Sequence, residues 1–289
     1  MTVAAQGMAP KRRRWPLAAL LRQPTARAGA AIVCLFLFLT AFAALIAPYD
    51  PFDQDLSAAL TAPSAAHLLG TDQYGRDVLS RIIYGSRTAL LAIVVADGIA
   101  LVLGASLGLL AGFLGGRTDA LVMRVVDVLL AFPYLLLALI IVAALGPSLI
   151  NSIVAIGVVY TPQYARLIRG QVLSIKTTEY VLAARAVGTS PLRIMLRHVL
   201  PNSFTPLMVM ATLQSGTVVV ETAGLSFLGL GAQPPSPDWG ALLADGQSYF
   251  LTAWWIATFP GLAIFAVVIG FNLFGDALRD FFDPRRRGA

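Results

Sequence analysis

Six stretches of this chain are apolar for about twenty residues or more each, at 28–47, 88–114, 125–145, 149–167, 204–230 and 254–274. A helix of about 20 residues reaches across the hydrocarbon core of a bilayer, so these blocks have the length of membrane spans. Their interiors lack the apolar–polar alternation of a membrane barrel, which leaves the helix as the structure that satisfies every backbone group in lipid. The composition agrees: charged residues are 12% of the chain and hydrophobic ones 57%, against about 25% charged in a soluble domain. The chain is therefore expected to be an all-α membrane protein with six transmembrane helices. The five spans that follow favour an uncleaved first helix over a signal peptide at 28–47.

The basic residues orient the spans. Of the 21 lysines and arginines, eighteen fall before the first span, around Arg117 and Arg124, between Tyr164 and Asn202, or after Phe274; only Arg76, Arg81 and Arg87 fall on the opposite side. Cytoplasmic loops are enriched in Lys and Arg, so both termini are expected in the cytoplasm. The organisation that follows is a cytoplasmic basic segment at 1–27, a first span at 28–47 and an external loop at 48–87. A five-helix core at 88–275, with a cytoplasmic loop at 173–203, and a cytoplasmic tail at 276–289 complete it. Within the external loop, Arg76 to Arg87 alternates charge with Val78, Leu79, Ile82 and Ile83, as an interfacial amphipathic helix does. Two roles stay open for it: a docking surface, or a lid packed on the outer span ends.

Several chemistries are excluded or unsupported. A phosphate-binding P-loop needs glycine before its lysine, but Pro10 precedes Lys11 and Ile175 precedes Lys176, the chain's two lysines. The two histidines, His67 and His198, give no ligand cluster, so no metal site is expected. The arginines are scattered among short segments rather than gathered in one stripe, which argues against nucleic acid. Gly104-Ala-Ser-Leu-Gly108 matches a nucleophile elbow by letter only, since that motif needs a strand-to-helix turn and a histidine partner. Gly104, Gly108, Gly112 and Gly116 instead line one helix face at four-residue spacing and predict close helix packing. The lone Cys34 sits in the first span and permits no intramolecular disulfide.

The loop at 173–203 is too polar to cross lipid and too patterned for a linker. It reads as a helix from Thr178 through Val187 with Glu179 near its positive end, a helix-ending glycine at Gly188, then Ser190 as N-cap and Pro191 as first residue of a second helix to Leu200. That second helix places Arg193 and Arg197 on a wet face and Leu192, Leu196 and Val199 on a buried one.

These residues resemble the cytoplasmic loop of bacterial binding-protein-dependent importer permeases, whose pattern is Glu-Ala-Ala, three residues, Gly, nine residues, Ile-x-Leu-Pro. Glu179 opens the pattern here, Ala183 and Ala184 are its small residues, Gly188 its glycine and Leu200-Pro201 its close. Tyr-Val-Leu separates Glu179 from the alanines, and His198 stands where the pattern has isoleucine. Further stretches are similar to the C-type subunit of dipeptide, oligopeptide and nickel importers: HLLGTDQYGRDVLSRIIYGSR, GGRTDALVMRVVDVLLAFP, ETAGLSFLGLGAQPP and GDALRDFFDP, covering most of the chain from residue 67 onward. The resemblance implies a type I ATP-binding cassette importer permease fold. Glu179, Ala183, Ala184, Arg185, Gly188, Thr189, Ser190 and Pro191 would form the coupling loop that enters a groove on an ATPase. It implies as partners a second, B-type permease, two ATP-binding cassette ATPase subunits that carry ATP and magnesium, and an extracytoplasmic solute-binding protein. This chain would hold no cofactor and would not be an enzyme.

Ionisable residues inside spans mark protein-facing or water-facing positions, which makes Asp97, Asp127 and Glu221 candidates for a gate or pathway. Asp127, three residues from Arg124, is expected to pair with it locally. Glu221 precedes a glycine-rich segment that suggests a broken helix, and Asp97 either lines the path or bonds a neighbouring span. The same carboxylates also keep a rival open, a secondary transporter driven by an ion gradient.

Overall fold

The computed structural model describes residues 23–282, so the basic segment before Gln23 and the arginines after Phe282 lie outside the described residues. Among these residues helices dominate, and the sole β pairing is an isolated bridge between Thr71 and Asp77. The helices are α1 (Pro24–Ala41), α2 (Val78–Leu114), α3 (Gly116–Leu130), α4 (Tyr134–Leu145), α5 (Leu149–Ile175), α6 (Glu179–Ala186), α7 (Pro191–Phe227), α8 (Trp239–Gln247) and α9 (Trp255–Phe282). Four of them, α1, α2, α7 and α9, are long and apolar enough to cross a membrane, and α3 with α4 makes a fifth if the bent pair is one span.

Span 149–167 becomes α5, which is less apolar than the others because it is surrounded by protein rather than lipid. Its Ile153, Ile156, Tyr160, Tyr164, Ile168 and Val172 are all buried. The glycine stripe explains how α2 reaches it. A Cβ on Gly104 would strike Tyr164 and Thr161, one on Gly108 would strike Ala165 and Ile168, and one on Gly112 would strike Val172. Bare glycine backbones therefore bring α2 against α5 over three turns. Gly116 does not belong to this seam. The helix ends at Leu114, Gly115 and Gly116 both take positive φ, and nothing lies within 4 Å of a Cβ placed at Gly116.

Four further boundaries differ from the sequence reading. The expected span 125–145 is broken: α3 and α4 meet at 94°, because Pro133 lacks an amide hydrogen and pushes Phe132 out of helical conformation. The stretch 76–87 is not a separate interfacial helix but the first turns of the 37-residue α2, with Arg76 and Arg81 buried rather than wet. The helix expected to stop at Leu200 runs on into the membrane as α7. A π turn at Met195–Val199, with the Leu200 amide bonded to the Met195 carbonyl, widens the helix just before Pro201. That widening gives the proline ring room it would lack in a regular α-helix. The first span also shifts, with a break at Phe42 after α1 and a short turn at Ala43–Ile46.

The bundle has two ends. At one, Ser148 and Ser152 bond the Leu230 carbonyl, Trp239 bonds Ile82 and Trp255 bonds Thr71, gathering 47–77 and 230–255 into a cap. At the other, Lys176 donates to the Gly112 carbonyl and Arg169 pairs with Asp119, placing the ends of α2 and α5 and the start of α3 beside the loop at 176–203.

Candidate functional site

The loop end is built around a helix stop. The Thr189 amide bonds the Ala184 carbonyl and the Gly188 amide bonds that of Arg185, both at 3.0 Å, with φ +77° at Gly188. These two bonds are the paired pattern that closes a helix through a left-handed residue, a conformation glycine takes without penalty. Ser190 then adopts an extended conformation and Pro191 occupies the first helical position, although the Ser190 hydroxyl caps nothing. Thr178 starts α6 through its backbone carbonyl, and Glu179 stands in the first turn, where a carboxylate suits the helix dipole.

Three buried side chains, Val181, Ile194 and Val199, root the hairpin in the bundle. Arg185 lays its guanidinium 5.5 Å from the centre of the Phe113 ring, and Lys176 reaches the Gly112 carbonyl at 3.0 Å, fastening the loop to the end of α2. On the far side, Asn202 bridges His198 and Tyr180. Arg193 and Arg197 are exposed as expected. Of the face expected to be buried, Val199 goes inward, joined by Ile194, but Leu192 and Leu196 are exposed together with Leu182 and Val187, the last at 81%. Since α7 continues straight into the bundle, one of its apolar stripes is used for rooting and the other is left facing out. Four large apolar side chains thus face out around the turn, with open space above Gly188.

The candidate carboxylates separate into three environments. Asp97 is buried and bonds two neighbouring helices at once, accepting from Tyr164 Oη at 3.2 Å and Ser215 Oγ at 3.1 Å; of its two expected roles this is the interhelical one. Asp127 pairs with Arg166 of α5 at 2.7 Å, not with Arg124, and both partners are more than half exposed. The α3–α4 break tips α3 toward α5, which puts Arg166 within its reach. Glu221 is partly buried, with the Tyr160 hydroxyl beside its carboxylate. The structure thus does not bring the three together.

Sequence reasoning missed most of the polar residues that matter for assembly. Asp119 and Arg169 form a two-pronged pair between α3 and α5, and Asp72 organises the cap, accepting from Arg76 Nε at 2.6 Å and from the Tyr74 and Arg76 amides. The position of Arg169 one turn after Arg166 was the available signal, but Asp119 lies 50 positions away in sequence. Among the described residues no group of three or more His, Cys, Asp or Glu side chains is arranged to hold a metal ion.

Comparison with known proteins agrees with this geometry. The family described as "Binding-protein-dependent transport system inner membrane component" matches residues 104–288, and the "N-terminal TM domain of oligopeptide transport permease C" matches 15–63. A probable D,D-dipeptide transport system permease, DdpC of Escherichia coli K12, is 46% identical over 92% of this chain and 89% of the relative. A dipeptide transport system permease, DppC of Alkalihalophilus pseudofirmus, is 44% identical over 93% and 88%. A glutathione transport system permease, GsiD of Pectobacterium atrosepticum, is 42% identical over 92% and 88%. Among solved structures, an inward-facing MetNI methionine ABC transporter shares the fold at a TM-score of 0.58 and 20% identity, covering 71% of this chain and 98% of the transporter chain. The chain belongs to the inner membrane components of binding-protein-dependent transport systems, as a C-type permease of the type I ATP-binding cassette importer fold.

Proposed function

We propose that this permease, paired with a second B-type permease, forms a membrane path for di- or oligopeptides delivered by an external solute-binding protein. Two separate ATP-binding cassette subunits supply the energy, with ATP and magnesium bound on them. Both termini and the 176–203 loop lie in the cytoplasm in this reading, and the cap faces outward. The observation that carries it is the loop end: a turn locked at Gly188, fastened to α2 by Arg185 and Lys176 and surrounded by exposed Leu182, Val187, Leu192 and Leu196. A free cytoplasmic loop gains nothing from that apolar surface, whereas one pressed into an ATPase groove transmits the movement of that groove to α5 and α7. The peptide cargo is supported by the dipeptide and glutathione permeases among the relatives, because a glutathione carrier and a dipeptide carrier handle cargoes of the same chemical kind.

Reconstitution in vesicles tests the reading. Dipeptide uptake is expected only when both permeases, the ATPases and the binding protein are present with ATP. Uptake by this chain alone under an ion gradient would overturn it and revive the secondary transporter.

A further inference from the structure

Helix α3 carries two outward stripes of opposite character. Its inner side is settled: Val126 is buried, and Asp119 and Asp127 reach Arg169 and Arg166 of α5. On the far side Leu121, Val125 and Val128 recur at the three- and four-residue spacing of one helical stripe, and all three are exposed, Leu121 at 70%. Phe132 continues the stripe just past the helix end and is exposed as well. Alongside runs a polar stripe of Arg117, Ala120, Arg124 and Asp127, exposed throughout. Both carboxylates of α3 are taken by α5, which leaves Arg117 and Arg124 without an acidic partner on their own helix.

The depth of α3 follows from what it touches. Helix α5 begins at the cap, where Ser148 and Ser152 bond the Leu230 carbonyl. Arg166 and Arg169 stand 17 and 20 residues beyond Leu149, about 26 and 30 Å along the helix at ~1.5 Å per residue. A hydrocarbon core is about 30 Å thick, so a bilayer with one boundary at the start of α5 has its other boundary at α3. The direction agrees, because α3 meets the apolar α4 at 94° and so lies across the line that α4 follows. Its 15 residues make a rod of about 22 Å, too short to cross by itself.

Water disfavours three exposed apolar side chains on one stripe, and hydrocarbon disfavours the two arginines beside them. The boundary between the two accommodates both, which is where basic amphipathic helices lie. There an arginine lays its stem along apolar surface and carries its guanidinium to the headgroups, where phosphate accepts from it in two-pronged fashion. We infer that α3 is an interfacial helix: Leu121, Val125 and Val128 enter the acyl boundary of the cytoplasmic leaflet, and Arg117 and Arg124 hold anionic phospholipid headgroups. Its assignment to the cytoplasmic leaflet rests on the topology proposed above, whereas its depth does not.

The test uses the complete transporter in vesicles of phosphatidylcholine, alone or mixed with phosphatidylglycerol. In a Cys34→Ala background, Leu121→Cys, Val125→Cys, Val128→Cys and Ala120→Cys each carry one bimane fluorophore. Brominated phosphatidylcholine is expected to quench the three stripe positions more strongly than Ala120→Cys, and aqueous iodide to do the reverse. Brominated phosphatidylglycerol should be preferred at the stripe by about fivefold for each arginine. That preference should vanish in Arg117→Gln/Arg124→Gln and weaken as salt screens it. Iodide quenching at all four positions means a wet helix, and quenching of the stripe by neither agent means that a protein partner covers it; either result overturns the interfacial placement. Equal quenching by the two lipids with both arginines present overturns the headgroup assignment. Topology is read separately with a membrane-impermeant maleimide on intact cells, from which Ala120→Cys should be protected. Its labelling there would overturn the cytoplasmic assignment and the topology beneath it, while the quenching still decides the contact with lipid.

Discussion

The two ends of the bundle use charge in opposite ways. At the cap, Asp72, Arg76, Asp77 and Arg81 are all buried, and Arg81 spends its guanidinium on the carbonyls of Pro51, Pro235 and Ser236, tying three distant segments together. His67 holds one oxygen of Asp77 while the other caps α2 through Ser80. At the loop end, the charges are exposed or partly exposed, as in Asp127–Arg166 and Asp119–Arg169. Apolar exposure does not separate the two ends, since Leu56, Leu68 and Leu251 of the cap also face out; what separates them is where the charges sit.

The contrast can be broken most directly at Asp72. Asp72→Ala leaves Arg76 and Arg81 buried without their shared carboxylate, and removing one member of a buried charged set costs about 3–5 kcal/mol. The expected result is failure to accumulate, or a large drop in melting temperature in detergent; an unchanged melting temperature would mean the cap is not self-contained. Gly108→Leu comes next, since its side chain meets Ala165 and Ile168 of α5. A loss of about 1–3 kcal/mol is expected from overpacking, read as a lowered melting temperature.

Gly188→Val separates stability from docking. With no neighbour within 4 Å, its penalty comes from the positive φ alone, about 1–2 kcal/mol confined to the turn. Co-purification of the ATPase subunits should nevertheless fall sharply, and full retention would count against the loop as the docking surface. Arg185→Ala removes a cation–π contact worth about 0.5–1 kcal/mol at an exposed site, so a small thermal shift with weaker coupling of ATP hydrolysis to uptake is expected. Asp127→Asn should be the mildest, within about 1 kcal/mol, because its ion pair is open to solvent. A large effect there would show that Asp127 meets a partner subunit.

How far each end could be read before folding follows from the range of its interactions. The helix stop at Gly188 to Pro191 is local: its glycine, its proline and the helix formers before it lie within a few residues of one another, so its geometry is written in their order. The cap is not local. Arg81 meets Pro235 and Ser236 across some 150 positions, and nothing about an arginine in an alternating stretch distinguishes burial against remote carbonyls from a wet interfacial face. The same holds for Asp127, where the near neighbour Arg124 was the natural partner until the kink at Pro133 brought Arg166 into reach.

Lipid as solvent, helices as the spanning structure, the α2 seam at Gly104, Gly108 and Gly112 and the helix stop at Gly188 were determined by the sequence itself, because hydrophobic length, residue spacing and backbone conformational preference are properties of short segments. Tertiary structure alone decided which apolar faces of α7 go inward and where α3 and α4 part. It also decided that Asp97 has two partners, Tyr164 and Ser215, on two other helices. Those outcomes depend on which helix arrives beside which, and a buried polar group takes its meaning from neighbours that its own segment does not contain.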